Sequence, residues 1–479
     1  MIALATLLIL PIFGALAVVA VPGQAARVAA AVAVLSGGAL AVLIMAVAKG
    51  GSVQILPGGW GAPLGIALEA DGLAVAFMAM TVAVTAAAIA LAARTPAIGT
   101  PFWALVMLTW SALNVIYVSR DLFNMYVGLE LLTLAAVALV ATGGTSALAP
   151  ALRYLFFALT GSLLYLAGVA LIYAAHGVLD MAHLAEAPLQ ATDGVALALM
   201  TAGLLVKTAV FPFHAWLPPA HAAAPPPASA LLSALVPKAS FVILMRLWFD
   251  AVPDAATRSL LLTLAILGAL AVAHGGVLAL RQDRLKQIVA YSTVAQIGYL
   301  MLVFPLAGGG GAAQPWAAGA WSGAIFHALA HGLAKAAMFL CAGIWIMAAG
   351  SDRLDDLRGL ARALPMTAMA FGVAAVTLMG LPPSGGFTAK YLMMTSAFAS
   401  GQVVLAIVLL AGGLLAAGYL YRPMEALFAR VVPDHRPVSR LLQAVPLLLA
   451  LLAFAMGLFS DAVYAFLQTG RPGAAEGGL

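Results

Sequence analysis

Lys207-Thr-Ala-Val-Phe-Pro-Phe-His-Ala-Trp-Leu-Pro-Pro219 interrupts a long apolar run with a lysine, a histidine and three prolines. Proline inside a helix removes an amide donor and clashes with the preceding turn, so this segment cannot be one continuous helix. A second interruption, Gly380-Leu-Pro-Pro-Ser-Gly-Gly-Phe-Thr-Ala-Lys390, lies about 170 residues further on and again carries a lysine. Broken apolar helices at corresponding places in two halves are the pattern of a fold built from inverted repeats around a site at mid-membrane. The offsets suit two five-helix units, 102–249 and 258–430. They leave 1–101 for three leading helices and 431–479 for a fourteenth.

Composition fixes the solvent. Of 479 residues, 64% are hydrophobic and only 8% are charged. A soluble domain carries about 25% charged residues, so the apolar surface of this chain must face lipid. The single cysteine, Cys341, excludes an internal disulfide framework and a cysteine-rich metal site. A pI near 9.4 would point to nucleic acid in a soluble protein, but here the basic residues have a topological use. Residues 1–22 lack the basic flank of a signal peptide and read as a retained first helix.

A span needs about 20 mostly apolar residues. That criterion predicts helices near 2–20, 26–48, 72–93, 102–119, 121–142, 150–175, 194–213, 227–249, 258–280, 287–306, 317–349, 365–398, 402–428 and 440–466. The expected fold is an all-α polytopic membrane protein of about fourteen transmembrane helices, with helices 7 and 12 broken. Fourteen crossings put both termini on one side. With the termini outside, the inner loops hold Arg27, Arg94, Arg153, Arg281, Arg284, Lys286, Arg353, Arg358, Arg362, Arg422, Arg430, Arg436 and Arg440. The outer side keeps Lys49, Arg120, Arg246, Arg258 and Arg471, so the positive-inside bias favours that orientation.

Four lysines remain, and all fall inside spans: Lys207, Lys238, Lys335 and Lys390. Glu130 is the one acidic residue well inside a span. A charge at the centre of a membrane helix costs on the order of 2.5–3.5 kcal/mol by insertion scales, and such residues mark ion or proton pathways. Glu130 and Lys207 are natural partners if the fifth and seventh spans touch; the bland alternative is a static ion pair that fixes packing. Lys238 stands beside Pro237, where snorkelling to the interface competes with a functional role. A lysine in an apolar site can exchange its proton near neutral pH, which a solvated lysine cannot do.

The eleventh span carries the sharpest pattern, His327-Ala-Leu-Ala-His331-Gly-Leu-Ala-Lys335. Spacing of i, i+4, i+8 sets three titratable groups along one helix face, the arrangement of a proton relay. Two histidines without a nearby carboxylate do not complete a metal site. Tyr291, Ser292, Thr293 and Gln296 in the tenth span and His274 in the ninth either line a hydrated path or bond helix to helix. The sequence has no Gly-rich nucleotide loop, haem pattern or iron–sulfur motif, so no cofactor is expected in this chain.

Phe211-Pro-Phe-His-Ala-Trp-Leu-Pro-Pro-Ala-His221, Ala290-Tyr-Ser-Thr-Val-Ala-Gln-Ile-Gly-Tyr299, the file His327 to Lys335 followed by Ala-Ala-Met-Phe-Leu340, and Gly380-Leu-Pro-Pro-Ser-Gly-Gly-Phe387 occur in this order. Together they resemble the proton-conducting antiporter-like subunits of complex I, Mrp cation/proton antiporters and membrane-bound hydrogenases, over roughly residues 70 to 430. The resemblance implies fourteen helices with two inverted repeats, the fourth to eighth and ninth to thirteenth spans. It matches Glu130 to the fifth-helix glutamate, Lys207 to the seventh-helix lysine and Lys238 to the connecting lysine of the eighth. Lys335 takes the central position of the eleventh helix, and Lys390 the acidic-or-lysine position of the twelfth. In the family these residues form a horizontal relay between half-channels. The chain ends at Leu479, without the long lateral helix of the largest complex I member. The Pro-rich segment Ala222 to Ala230 is closer to D-type or hydrogenase-type members.

The expected function is therefore proton translocation by an antiporter-like subunit of a multisubunit complex in the plasma membrane, the cell's inner membrane. Its partners are other integral membrane subunits, lipid and protons, alone or with sodium or potassium; nucleic acid is excluded. Mrp-type cation/proton antiport leads. The alternatives are the corresponding subunit of an NADH:quinone oxidoreductase or membrane-bound hydrogenase, and a non-transporting scaffold.

Overall fold

The computed structural model describes residues 1–95, 98–308, 314–431 and 434–471. Among these residues, helices Ile2–Ala20, Ala25–Gly50, Gly72–Ala92, Thr100–Val118, Leu122–Ala141 and Leu148–His176 form the first six crossings. The seventh is split into Asp193–Thr208 and Leu217–Ala223, and the eighth into Pro226–Ala234 and Val236–Arg246. Arg258–Leu280 is the ninth, Leu285–Leu300 with Val303–Ala307 the tenth, and Pro315–Ala349 the eleventh. The twelfth is split into Pro365–Met379 and Gly385–Ala399; Val403–Leu427 and Arg440–Leu458 complete the set.

The breaks at helices 7 and 12 fall where the prolines demand them. Helix Asp193–Thr208 stops at Ala209, which adopts a left-handed backbone with φ 60°, just before Pro212. Helix Pro365–Met379 stops at Gly380, φ 80°, a conformation glycine adopts without steric cost, and Pro382 and Pro383 follow. The break in the eighth span was not expected from sequence. It sits at Leu235, φ −114°, where Pro237 removes the amide that would continue the ladder.

Two features were not read from the sequence. The described chain is not wholly helical: strands Val53–Ile55 and Leu68–Ala70 pair antiparallel in a small hairpin between the second and third spans. Arg120, Arg246 and Lys286, counted on sequence grounds only for the side of the membrane they mark, are 9%, 2% and 4% exposed. Each found partners in the tertiary structure that outweigh hydration.

The spans sort by burial. The eighth, tenth and eleventh are buried almost throughout, while the first, second, sixth, ninth, thirteenth and fourteenth turn a face outward to lipid. Close approach of the inner helices needs small residues. A Cβ on Gly203 would collide with the Gly161 carbonyl oxygen, and one on Gly298 with that of Gly268. These contacts draw the seventh span onto the sixth and the tenth onto the ninth.

The connections gather at two faces. At one, the Arg284 guanidinium pairs with Asp352 at 2.9 Å, and Arg422 pairs with Asp283 at 2.9 Å; this is the basic face. At the opposite, hairpin face, Asp71 accepts from Arg246 at 2.7 Å and from Arg120 at 3.1 Å. Asp250 pairs with the same two arginines at 2.7 and 3.1 Å, and Glu69 with Arg120 at 2.8 Å. Burial alone would push the Asp71 carboxyl up, but the Arg246 and Arg120 charges outweigh it and hold the group below its ordinary value.

Candidate functional site

The fifth and seventh spans do meet. Lys207 Nζ lies 3.5 Å from Glu130 Oε1 and donates to Thr133 Oγ1 at 2.7 Å. The Ser162 hydroxyl of the sixth span donates to the same Glu130 oxygen. Glu130 thus faces a cation and a hydroxyl, with a side chain still 22% exposed, while Lys207 is buried.

Lys238 is completely buried. Its Nζ donates to the Ser233 carbonyl at 2.6 Å. That carbonyl would bond the amide four residues on in an unbroken helix, but residue 237 is proline. The lysine fills the gap that the proline leaves. The Ser233 hydroxyl bonds the Thr293 hydroxyl at 2.9 Å, linking the eighth span to the tenth. Among the described residues no hydrogen bond joins Lys207 to Lys238. A cavity of about 10 Å³ beside Lys207, lined also by Thr133 and Ser240, stands between the fifth and eighth spans at the lower limit for one water.

The file on the eleventh span lies along one face, as its spacing requires. The His327 and His331 rings are stacked with centroids 5.7 Å apart and planes within 4°. His327 Nε2 bonds the Gln296 carbonyl oxygen at 3.0 Å. Lys335 Nζ donates to the Val289 carbonyl at 3.0 Å and to the Ser292 hydroxyl. Both ring nitrogens of His331 are buried without a hydrogen-bond partner, within electrostatic reach of Lys238, Lys335 and His327. Buried polar groups are normally bonded, so this imidazole among amines stands out as a candidate proton carrier.

Lys390 closes the line. Its Nζ donates to the Met379 carbonyl at 2.8 Å, the carbonyl that Pro382 and Pro383 leave without an amide donor. It also lies 4.9 Å from the centre of the Tyr299 ring, which stands edge-on to His327 with centroids 5.2 Å apart. Tyr299 therefore bridges the twelfth span to the histidine file. Sequence reasoning passed over this tyrosine.

His221 was also passed over, although it lies in the quoted motif. It is 1% exposed, and neither ring nitrogen has a partner. It sits within electrostatic reach of Lys286, Lys238 and Lys335. The signal was present, a histidine one helix turn before a proline cluster. Ser162 gave no signal, because an isolated serine in a membrane helix is ordinary. His274 lies apart from this line, against His214 with ring centroids 4.8 Å apart.

The arrangement is a chain of titratable groups crossing the core of the molecule from the fifth span to the twelfth. Comparisons with known proteins concern the chain as a whole. The chain is 37% identical over 431 residues to NADH-quinone oxidoreductase subunit N of Desulforudis audaxviator, covering 87% of this chain and 83% of that one. It is 30% identical over 438 residues to the D-type subunit of the Na(+)/H(+) antiporter of Bacillus subtilis, covering 87% and 85%. The fold matches a chain of the Mrp complex from Dietzia sp. with TM-score 0.89 at 24% identity, covering 98% of each. A chain of respiratory complex I from Thermus thermophilus matches with TM-score 0.77 at 28% identity, covering 96% of this chain and 98% of that one. Residues 119–416 match the model for the transmembrane region of NADH:quinone oxidoreductases and Mrp antiporters, and the chain belongs to this NADH:quinone oxidoreductase/Mrp antiporter family.

Proposed function

We propose that this chain translocates protons as an antiporter-like subunit of a multisubunit membrane complex. The relay consists of Glu130, Lys207, Lys238, His331, Lys335, His327 and Lys390, with His221 and Tyr299 alongside it. The two five-helix units 102–249 and 258–430 are its repeats, flanked by 1–101 and 431–479; in each unit the fourth helix is broken and carries a relay lysine. The basic face is cytoplasmic, and both termini face out across the plasma membrane.

One observation carries this reading. Among the described residues, Lys238, Lys335 and Lys390 are held by carbonyls and a hydroxyl, not by carboxylates. An amine held by neutral acceptors can take either protonation state without stranding a buried counter-ion. A scaffold has no use for three such amines in a row.

Lys335→Arg tests the relay, because arginine keeps the charge and does not release its proton. Proton flux in inverted membrane vesicles should fall at least tenfold while the complex assembles. Full flux would mean that a fixed charge suffices, and the relay role of Lys335 would be withdrawn.

The parent complex exchanges sodium or potassium for protons in the manner of Mrp antiporters, as the motifs and the 30% identity to a D-type antiporter chain support. The second reading is an NADH:quinone oxidoreductase, favoured by the higher identity, 37%, to a subunit N. Purifying the complex through this chain separates them. Flavin and iron–sulfur partners indicate the oxidoreductase; membrane subunits without redox centres indicate the antiporter.

A further inference from the structure

Four of the six lysines belong to the relay, and Lys49 ends the second span at the exposed hairpin face. Lys286 has no assigned role. It lies in the first turn of helix Leu285–Leu300, 4% exposed. Its Nζ donates to the carbonyls of Ala222 at 3.0 Å and Ala224 at 2.5 Å. Pro225 and Pro226 leave the Ala222 carbonyl without an amide donor. The pairing repeats what Lys238 does for Ser233 and Lys390 for Met379. Three lysines each close a carbonyl opened by proline, and two of them are relay members.

What Lys286 holds is the end of the broken seventh span. Ala222 directly follows His221, the buried imidazole with two unpartnered nitrogens and three lysines in reach. Helix Leu285–Leu300 also supplies Val289 and Ser292 to Lys335. One helix therefore fixes both the central relay lysine and the segment that aims His221. Above Lys286 a cavity of about 550 Å³ opens at the basic face, lined by Ser146, Arg284, Gln287, Ser351 and Asp352 among others. Arg284, 52% exposed, marks its rim.

We infer that this vestibule is the mouth through which protons pass between the basic face and the relay. Lys286 is a positioning residue at its floor: it pins the end of the seventh span to the tenth and so sets His221 between the vestibule and the lysines Lys238 and Lys335. The inference rests on the relay reading above. It adds a route by which protons reach the middle of the chain, and it explains why a buried cation sits where a loop charge would have sufficed.

The test uses the assembled complex in membrane vesicles with the basic face outward, with three variants and Lys335→Arg as reference. Lys286→Met should lower proton flux at least tenfold. Lys286→Arg, which restores donors to both carbonyls, should retain more than half of it. Ser351→Cys should transport until a bulky, membrane-impermeant thiol reagent is added, then lose most flux; Cys341 is fully buried and silent. The inference is overturned if assembled Lys286→Met transports normally, if Lys286→Arg is as inactive as Lys286→Met, or if complete modification of Ser351→Cys leaves flux unchanged. Should Lys286→Met fail to assemble, the thiol arm decides. Normal flux in Lys335→Arg brings down the relay itself, whereas inactive Lys335→Arg beside normal Lys286→Met brings down this inference alone.

Discussion

Lys207 stands 3.5 Å from Glu130 and only 2.7 Å from Thr133, so the lysine bonds a hydroxyl more closely than it bonds its own counter-charge. In the proposed relay this pair separates as a proton passes. In that relay the two groups act as one unit, so their substitutions should not add. Glu130→Ala and Lys207→Ala should each abolish most ion flux without preventing assembly, and the double variant should be no worse than either. Normal flux in both single variants, with assembly verified, would reduce the pair to packing.

Pro237 prepares the Ser233 carbonyl for Lys238, and restoring an amide there should matter. Pro237→Ala supplies a backbone donor that competes with Lys238 Nζ for the same acceptor. The helix should become more regular and no less stable, since proline in a helix interior costs about 3 kcal/mol. Proton flux should nonetheless fall several-fold. Vesicle flux and thermal stability measured on the same preparation check this; unchanged flux would mean that the carbonyl is not part of Lys238's setting.

At the hairpin face, Asp71→Asn removes one of two carboxylates from the buried Arg246 guanidinium. Breaking a buried pair from one side typically costs about 3–5 kcal/mol, so the thermal inactivation temperature of the purified complex should drop clearly. The Asp71 carboxyl is held below its ordinary value of 3.8. Its stabilising contribution is therefore complete above that pH and disappears as pH falls through the lower folded value. An acid titration of stability should show this component in the parent protein and lack it in Asp71→Asn.

Orientation is open to direct labelling. Glu186 and Arg436 are both exposed, and they lie at opposite faces by the count of crossings. Cysteines placed there should react with an impermeant thiol reagent from opposite sides, Glu186→Cys from outside and Arg436→Cys from the cytoplasm. Reaction from one side would refute the crossing count, and reversed sides the assigned orientation.

The sequence by itself determined the solvent, the crossings and the residues that had to be explained. Charges among apolar residues stand out because lipid makes each of them costly, so Glu130, Lys207, Lys238, Lys335 and Lys390 were visible without any structure. The breaks at Pro212 and Pro382 were visible for an equally local reason, since proline denies the backbone an amide wherever it falls. The file His327, His331 and Lys335 needed helical periodicity and nothing more. Tertiary structure decided who meets whom. That Lys238 and Lys390 bond the carbonyls vacated by proline depends on where a long side chain comes to rest. The Tyr299 bridge and the Ser162 bond to Glu130 join residues on different helices, and no spacing along the chain encodes them. Lys286 and Arg120 fall between predicted spans, and Arg246 near the outer end of the eighth, so all three read as charges within reach of water. Only packing could bury them, by bringing carbonyls or carboxylates from distant segments to within 3.1 Å. Local physics thus reveals a charge that needs a partner, but the choice of partner belongs to contacts between residues far apart in sequence.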